Sequence, residues 1–342
     1  MKCMKLGPVA SAVVASLLAP LPAMAAGPVS ASLYASTCKV DGEIDTAERA
    51  KAEAIALGSA QNLVDGDAAA VFESMSNEAR SEAGPQAIAK MAQAVKASGP
   101  YQDLRVAHLY LIEVKGGRDP LPPMICGKTL LDPDAVALSM KALPQQFHVE
   151  ITAHTKNNEW SFFAWLVPEQ GRLKVLSLHL DMSAMAGRTS RDLHRLALEQ
   201  NARGHAFSAA MLYRAAEITA NRGPAATPVW KRDLDKDIAA FTPPKELTGA
   251  PPYVLRSGGQ AFSFAGAGVI GVGGNLNLIF ERRPDSWPSD AAVDADSRRF
   301  VTAITNVHPE FSESFRAIVV RAFKPDGTGG IGTVYEFGKG FD

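Results

Sequence analysis

Residues 146–182 have the sequence QFHVEITAHTKNNEWSFFAWLVPEQGRLKVLSLHLDM, and this stretch decides the fold. Apolar and polar side chains alternate along residues 146–154, 159–167 and 172–182, which is the period of a β-strand. The segments between them, residues 156–158 (KNN) and 170–171 (QG), are short and composed of turn-forming residues. We therefore predict three consecutive antiparallel strands.

Helices are predicted before these strands. The first begins at Asp45 or Thr46 and ends near Val64, and two shorter helices follow before Gly99. The first helix has a predicted apolar face composed of Ala50, Ala54, Leu57 and Ala60. Residues 104–115 then alternate and predict a long strand. Helices followed by such strands predict an α+β fold with N-terminal helices packed on a curved antiparallel sheet.

In element order, helix placement and long meander strands, residues 45–183 resemble the nuclear transport factor 2-like (NTF2-like) superfamily. The resemblance implies a cone of helices and bent sheet that encloses a pocket. Domains of this kind include both enzymes and binding proteins, so the fold alone does not assign an activity. Cystatin-like folds share the order of helix and sheet and stay open as the alternative.

Residues 188–241 resemble a single tetratricopeptide (TPR) repeat. The matching positions are Leu193, Leu196, Ala197, Gly204, Ala209, Tyr213 and Ala216. Two positions depart from the pattern, because Gln200 replaces an aromatic residue and Pro224 comes about three residues late. The resemblance implies a surface for a protein partner, whereas a helical hairpin docked on its neighbours is the alternative, since solenoids need about three repeats.

Proline-rich segments around residues 242–252 separate a C-terminal unit, residues 250–342, for which we predict a small α+β structure. Residues 266–271 (GAGVIG) match the dinucleotide-binding fingerprint, but Gly273, Gly274 and Asn275 follow where a helix would have to begin. We therefore reject a nucleotide site. Residues 257–280 carry no charge, and their alternating aromatic and aliphatic residues predict a buried hairpin rather than a membrane span.

The first 25 residues have the pattern of a secretory signal peptide. Lys2 and Lys5 precede a short apolar run, and residues 23–25 (AMA) offer a signal peptidase site before Ala26. We therefore expect a periplasmic or secreted protein with no stable membrane span. Cleavage leaves Cys38 and Cys126, which in an oxidising compartment are expected to pair and to stabilise the fold by about 4–5 kcal/mol.

Composition excludes some classes of function. The net charge of -1 gives no basic surface for nucleic acid. The sequence contains no HExxH, GxSxG or paired-cysteine motif. We therefore expect no cofactor, no metal and no nucleic-acid partner.

The candidate ligand-binding residues lie on the predicted sheet. His148 and Glu150 share a face with Thr152 and His154, and this face either lines a pocket or faces solvent. Tyr110 shares its strand face with Leu104, Val106, His108 and Ile112, which predicts a pocket wall or core. Trp160 and Trp165 are predicted on opposite faces, so that one of them lines the pocket.

From these features we expect an exported, non-enzymatic envelope protein that binds a small apolar or mixed ligand, or a protein partner. The alternative is a hydrolase or isomerase that uses His108, Tyr110, His148 or Glu150, which requires these groups to converge in one cavity with shifted pKa values. A third possibility is a scaffold that docks through an exposed groove along Leu193, Leu196 and Tyr213.

Overall fold

The computed structural model describes residues 34–129 and 132–342, and the predicted signal peptide lies outside the described residues. The described chain has a mixed α+β structure, which confirms the predicted fold class. Its N-terminal elements are β1 (Tyr34–Val40), α1 (Thr46–Asp65), α2 (Ala68–Ser74), α3 (Asn77–Ser98), β2 (Gln102–Gly116), β3 (Met124–Cys126), β4 (Val136–Leu138), β5 (Gln145–His154), β6 (Asn158–Glu169), β7 (Arg172–Met185) and β8 (Arg188–Thr189).

Six of these strands form one curled antiparallel sheet in the order β1-β2-β5-β6-β7-β8. β5, β6 and β7 are the three predicted consecutive strands, with Phe147 opposite Leu166 and Phe163 opposite His179. Four register shifts, two in the β2–β5 pair and two in the β6–β7 pair, interrupt the ladders of the sheet as β-bulges do. Because each bulge bends its strand and increases the twist, the sheet curls.

Helices α1 to α3 cover one face of the sheet. Leu63 and Val71 are buried there against apolar side chains of β5 and β6. The predicted apolar face of α1 is wrong in part, because Ala50 and Ala54 are exposed whereas Ala52 is buried. α1 carries alanines on several sides, so periodicity alone does not distinguish its buried face.

A central helical segment follows, composed of α4 (Ser190–Ala202), α5 (Ala206–Ala220), β9 (Ala226–Pro228) and α6 (Lys231–Ala240). β9 pairs with β4, which pairs with β3, and we call this small three-stranded sheet the lid. The lid lies on the face of the curled sheet opposite the helices, where Leu138 and Ala226 pack against Tyr110 and Phe163. Both faces of the curled sheet are therefore covered.

Cys38 of β1 and Cys126 of β3 form a disulfide, which confirms the predicted pairing. The bond joins the edge strand of the curled sheet to the lid across 88 residues of sequence. It therefore fastens one side of the lid to the sheet that the lid covers.

The C-terminal elements are β10 (Tyr253–Ser257), β11 (Gln260–Phe264), β12 (Gly266–Val272), β13 (Asn275–Arg282), α7 (Asp290–Val307), α8 (Phe311–Ser314), β14 (Ala317–Phe323), β15 (Gly330–Glu336) and β16 (Gly340–Phe341). Strands β12 to β16 form a sheet in which the parallel pair β13 and β14 is connected through α7. Phe280 and Phe300 of this unit share one apolar core with Leu193 and Tyr213 of the central segment.

Residues 266–271, the apparent dinucleotide fingerprint, lie within β12, and a turn at Gly273 and Gly274 leads into β13. No helix begins there, so residues 266–271 lack the strand-to-helix context that the dinucleotide fingerprint requires, as the sequence predicted. Within the described ranges, none of the helices is sufficiently long and apolar to cross a bilayer.

Candidate functional site

The β-bulge between Val106 and His108 in β2 changes which residues of that strand face the lid. Val106 lies opposite Ile151 on the helix-covered face, whereas His108 lies opposite Glu150 on the lid-covered face. The extra residue between them, Ala107, reverses the alternation. The prediction that Leu104 and Val106 share a face with His108 and Tyr110 is therefore wrong, since a bulge leaves no signal in strict period-2 counting.

Polar side chains form three cross-strand rows on the lid-covered face, and we call these residues together the polar face. The first row contains Tyr110, His148, Trp165 and Ser177; the second contains His108, Glu150, Phe163 and His179; the third contains Thr152, Ser161 and Asp181. Directly opposed side chains in adjacent strands lie within contact distance of one another. Five of the six predicted ligand-binding residues therefore lie in the first two rows. Four of them, Tyr110, His148, Glu150 and Trp165, lie towards the centre, and His108 lies at the margin.

His148 lies at the centre of the polar face and is completely buried. Its ring stacks on the indole of Trp165, with 5.0 Å between ring centroids, and Phe163 lies beside it. Neither ring nitrogen makes a hydrogen bond of ordinary geometry within the described chain, although the backbone of Ser139 lies close enough to favour the charged form slightly. Burial dominates and lowers the pKa of His148 to about 3, so the ring is neutral at physiological pH.

The interpretation of this face as exposed to solvent is therefore wrong for His148. The covering strands come from residues 124–138 and 226–228, which are distant in sequence from β5. The alternation of a strand predicts one polar and one apolar face. It does not predict whether solvent or another segment of the chain covers the polar face.

Glu150 forms an ion pair that the sequence did not indicate. Its Oε1 accepts a hydrogen bond from the Ser161 hydroxyl at 2.8 Å and another from Arg222 Nε at 3.0 Å. The side chains of Glu150 and Arg222 are 13% and 16% exposed, so the two charges neutralise each other in a largely desolvated place. Arg222 also donates to the backbone oxygens of Thr219 and Asn221 at the end of α5.

Arg222 belongs to a strap, residues 221–225, which runs across the polar face from the end of α5 to β9. Asn221 Nδ2 donates to Asp181 Oδ1 at 2.8 Å, and the backbone oxygen of Ala225 accepts from the Ser139 amide at 2.9 Å. Gly223 has a φ of 76°, and a Cβ there would fall within 3.0 Å of the His179 ring. The glycine thus permits both the turn and the close approach to the sheet.

Burial beneath the strap also perturbs two titratable groups of β7. Desolvation lowers the pKa of His179, which favours its neutral form. Desolvation raises the pKa of Asp181, and the hydrogen bond from Asn221 and the charge of Arg222 oppose this only in part. The strap therefore covers His179 and Asp181, whose charged forms would be more stable in water than they are here.

The other two predicted ligand-binding residues lie away from this centre. His108 is at the margin, with its side chain 41% exposed and its Nδ1 3.2 Å from Asp41 Oδ2. Trp160 lies on the helix-covered face, where its ring contacts Tyr101 at 5.6 Å. The prediction that Trp160 and Trp165 face opposite sides is confirmed, and Trp165 is the one on the polar face.

The polar face offers uncharged hydrogen-bonding groups. The hydroxyl oxygens of Thr152 and Ser177 are buried and, within the described chain, have no hydrogen-bond partner, as is also true of the His148 ring. Tyr110 is buried as well, and burial together with the nearby charge of Glu150 raises the pKa of its phenol. No group of three or more His, Cys, Asp or Glu side chains arranged to hold a metal ion occurs in residues 34–129 and 132–342.

The apolar positions of the central segment pack inside the protein. Leu193 and Tyr213 are buried in the core shared with the C-terminal unit, and Leu196 packs partly against the same core. These three residues therefore do not form the exposed groove that a docking scaffold requires. A shallow depression of about 470 Å³ lies elsewhere, between the β10–β11 turn and α7, and Arg298 and Thr302 line it.

The site is thus a covered polar surface on one sheet, whose members come from β2, β5, β6, β7 and the strap. At its centre are the His148 ring stacked on Trp165 and the ion pair of Glu150 with Arg222. Comparison with known proteins gives no relative: no protein-family model, curated protein or solved structure matches the chain.

Proposed function

We propose that this is an exported, non-enzymatic binding protein that holds a small, uncharged ligand between the polar face and the lid. One observation carries the proposal: His148 is fully buried, and neither ring nitrogen makes a hydrogen bond of ordinary geometry within the described chain, where the Ser139 backbone is the one polar group close to the ring. A buried polar group without a partner costs about 1–3 kcal/mol, so proteins rarely keep one unless water or a ligand satisfies it. Thr152 and Ser177 add two further unpaired hydroxyls on the same face.

The ligand is uncharged because neither His148 nor the Glu150–Arg222 ion pair leaves a free charge beside the stacked rings. The His148 ring is neutral, and Glu150 is already compensated by Arg222. A charged ligand would be buried without a counter-charge, which is unfavourable in a desolvated place. A neutral imidazole offers one donor and one acceptor, and Trp165 offers an aromatic surface beside it. The ligand class is therefore a small molecule that carries both a donor and an acceptor group.

Binding is favoured over catalysis by the same groups. A general base works best when its pKa lies near the working pH, whereas burial lowers the pKa of His148 to about 3. Glu150 is held in its ion pair with Arg222. Both groups are therefore better suited to fix hydrogen bonds than to transfer protons.

Three further assignments belong to this proposal. Residues 45–183 form an NTF2-like domain, which is supported by helices that precede and cover a curled antiparallel sheet. Residues 188–241 are a TPR-like helical hairpin that serves the fold rather than a partner, which is supported by the burial of Leu193 and Tyr213. Export through the signal peptide of residues 1–25 is supported by the disulfide, because such bonds persist in oxidising compartments.

The test is native mass spectrometry of the mature protein purified from an oxidising compartment. We expect a mass excess of one small molecule that disappears on denaturation. His148→Leu should lose this excess, whereas Thr302→Ala, in the depression beside α7, should keep it. Circular dichroism and the mass of the intact disulfide establish that both variants are folded. A bare wild-type protein, or an excess lost only in Thr302→Ala, would overturn the proposal.

A further inference from the structure

A second concave polar surface lies in the C-terminal unit, between the β10–β11 hairpin and α7. Two depressions of about 470 and 410 Å³ share Gln260, Phe262 and Arg299 in their linings, and we call them together the hairpin groove. Phe262 is buried beneath the groove, and its ring centroid lies 6.2 Å from that of Phe300 on α7. The hairpin is therefore anchored on the helix through its apolar side, and its polar side forms one wall of the groove.

The charges in the hairpin groove are not balanced. Asp296 of α7 lies between two guanidinium groups, with its Oδ2 2.7 Å from Arg282 Nη1 and its Oδ1 2.9 Å from Arg299 Nη2. One carboxylate therefore faces two cations, which leaves a surplus of one positive charge. Arg298 also lines the groove but does not change this balance, because its Nε pairs with Asp294 at 2.8 Å.

The two arginines around Asp296 are held differently. The Arg282 side chain is 10% exposed; its Nε donates to the backbone oxygen of Ser263 at 3.1 Å, and its guanidinium lies 5.2 Å from the centroid of the Phe300 ring. These contacts occupy Nε and Nη1, and Nη2 has no hydrogen-bond partner within residues 34–129 and 132–342. Arg299 is 66% exposed and pairs through Nη2. The groove thus has one fixed and one adaptable guanidinium group, and each has donors to spare.

We propose that the hairpin groove binds a small organic acid, with its single carboxylate on Arg282 and Arg299 and an uncharged polar body along α7. The planar guanidinium group binds a carboxylate through charge-assisted hydrogen bonds. The rest of the lining supplies uncharged polar side chains from both walls: Ser257, Gln260, Thr302 and Asn306. This site shares no residue with the polar face and goes beyond the proposed function.

The surplus charge selects a monoanion. A carboxylate restores the balance that Asp296 leaves incomplete, whereas a phosphate dianion or a dicarboxylate brings a second negative charge close to Asp296. The groove is shallow and open on one side, so the bound acid keeps part of its surface in water. Such a ligand exchanges with solvent during purification, in contrast to the ligand proposed for the covered polar face.

The test uses gluconate as the probe, and sorbitol is the uncharged control with the same number of carbon atoms. Nuclear magnetic resonance of the ¹⁵N-labelled, disulfide-bonded protein follows the amides of Ala261 and Thr302, which lie on opposite walls, together with the arginine Nε–H groups. Sodium chloride keeps the ionic strength constant throughout the titration. Gluconate should shift the signals of both walls and of Arg282 and Arg299 to saturation, and sorbitol at the same concentration should leave them unchanged.

The variant Arg299→Gln should weaken gluconate binding by about tenfold or more, because it removes charge-assisted hydrogen bonds to the carboxylate. Arg299 is exposed, so the change leaves the packing beneath the groove intact. Arg195→Gln is the matched control, since Arg195 is a similarly exposed, ion-paired arginine on α4, and it should bind gluconate as the wild type does. His148→Leu alters the polar face alone and should also leave gluconate binding unchanged, so the two proposals can fail separately.

Four outcomes would overturn the proposal: no saturable response to gluconate, equal shifts with sorbitol, shifts spread over arginines throughout the protein, or unchanged affinity in Arg299→Gln. Spread shifts would indicate weak association of the anion with exposed cations in general. Saturable shifts confined to the two walls and lost in Arg299→Gln would establish the site, whatever native mass spectrometry shows for the polar face.

Discussion

The substitution His148→Leu should change how the stability of the protein depends on pH. In the folded protein burial lowers the pKa of His148 to about 3, whereas the unfolded chain has an ordinary value of 6.5. Between these values the unfolded chain binds more protons than the folded protein. The free energy of unfolding therefore rises with pH across this window. The contribution of His148 to stability is lost as the pH falls from 6.5 towards 3.

The full difference corresponds to about 5 kcal/mol, at about 1.4 kcal/mol for each pH unit. At pH 4.5 the loss specific to His148 should be about 3 kcal/mol relative to pH 7.5. Leucine has no proton to gain and leaves no unpaired ring nitrogens. The variant should therefore recover about 3 kcal/mol relative to the wild-type protein between pH 7.5 and 4.5, and it should equal or exceed the wild-type stability at pH 4.5 when its packing cost at neutral pH is below that value.

The assay is urea unfolding of the mature, disulfide-bonded protein at several pH values from 7.5 to 4.5. The quantity of interest is the wild-type free energy of unfolding minus that of His148→Leu, and it should fall as the pH is lowered. His108→Gln, at the exposed margin, is the matched control and should retain the contribution of His148. Parallel curves for wild type and His148→Leu would refute the reasoning.

Three further predictions concern the strap and the lid. Gly223→Ala should destabilise the protein by at least about 1 kcal/mol more than Gly171→Ala, because both glycines have positive φ but only Gly223 lies against a ring; equal melting temperatures for the two variants would contradict this. Arg222→Met should cost about 3 kcal/mol by leaving Glu150 unpaired, and adding Glu150→Gln should recover part of it; additive costs in a double-mutant cycle would rule out the coupling. Replacing both cysteines of the disulfide with serine should lower the free energy of unfolding by about 4 kcal/mol, because the bond closes 88 residues; an unchanged urea midpoint would show that the bond is not a determinant of stability.

The longer strands and helices of this fold could be predicted from local pattern, whereas the edge strand β1 and the short strands of the lid could not. The strands of residues 146–182, the helices before them and the rejection of residues 266–271 as a nucleotide site all depend on periodicity or on immediate neighbours. The disulfide could be predicted from the two cysteines that remain once the predicted signal peptide is set aside. In each case the physical cause acts within a few residues or by simple counting.

The arrangement of the site could not be predicted in this way. One unpaired residue in β2 moves Val106 and His108 to opposite faces. Such a bulge changes neither the composition nor the alternating pattern of the sequence, so the pattern does not reveal it. The burial of His148 depends on strands at least ten residues before it and more than seventy after it. The local sequence around Arg222 gives no sign of a partner, and only the folded chain places its Nε 3.0 Å from Glu150 Oε1. Periodicity identifies which side of an element avoids water, but desolvation and charge pairing are set by segments that meet only in the folded chain.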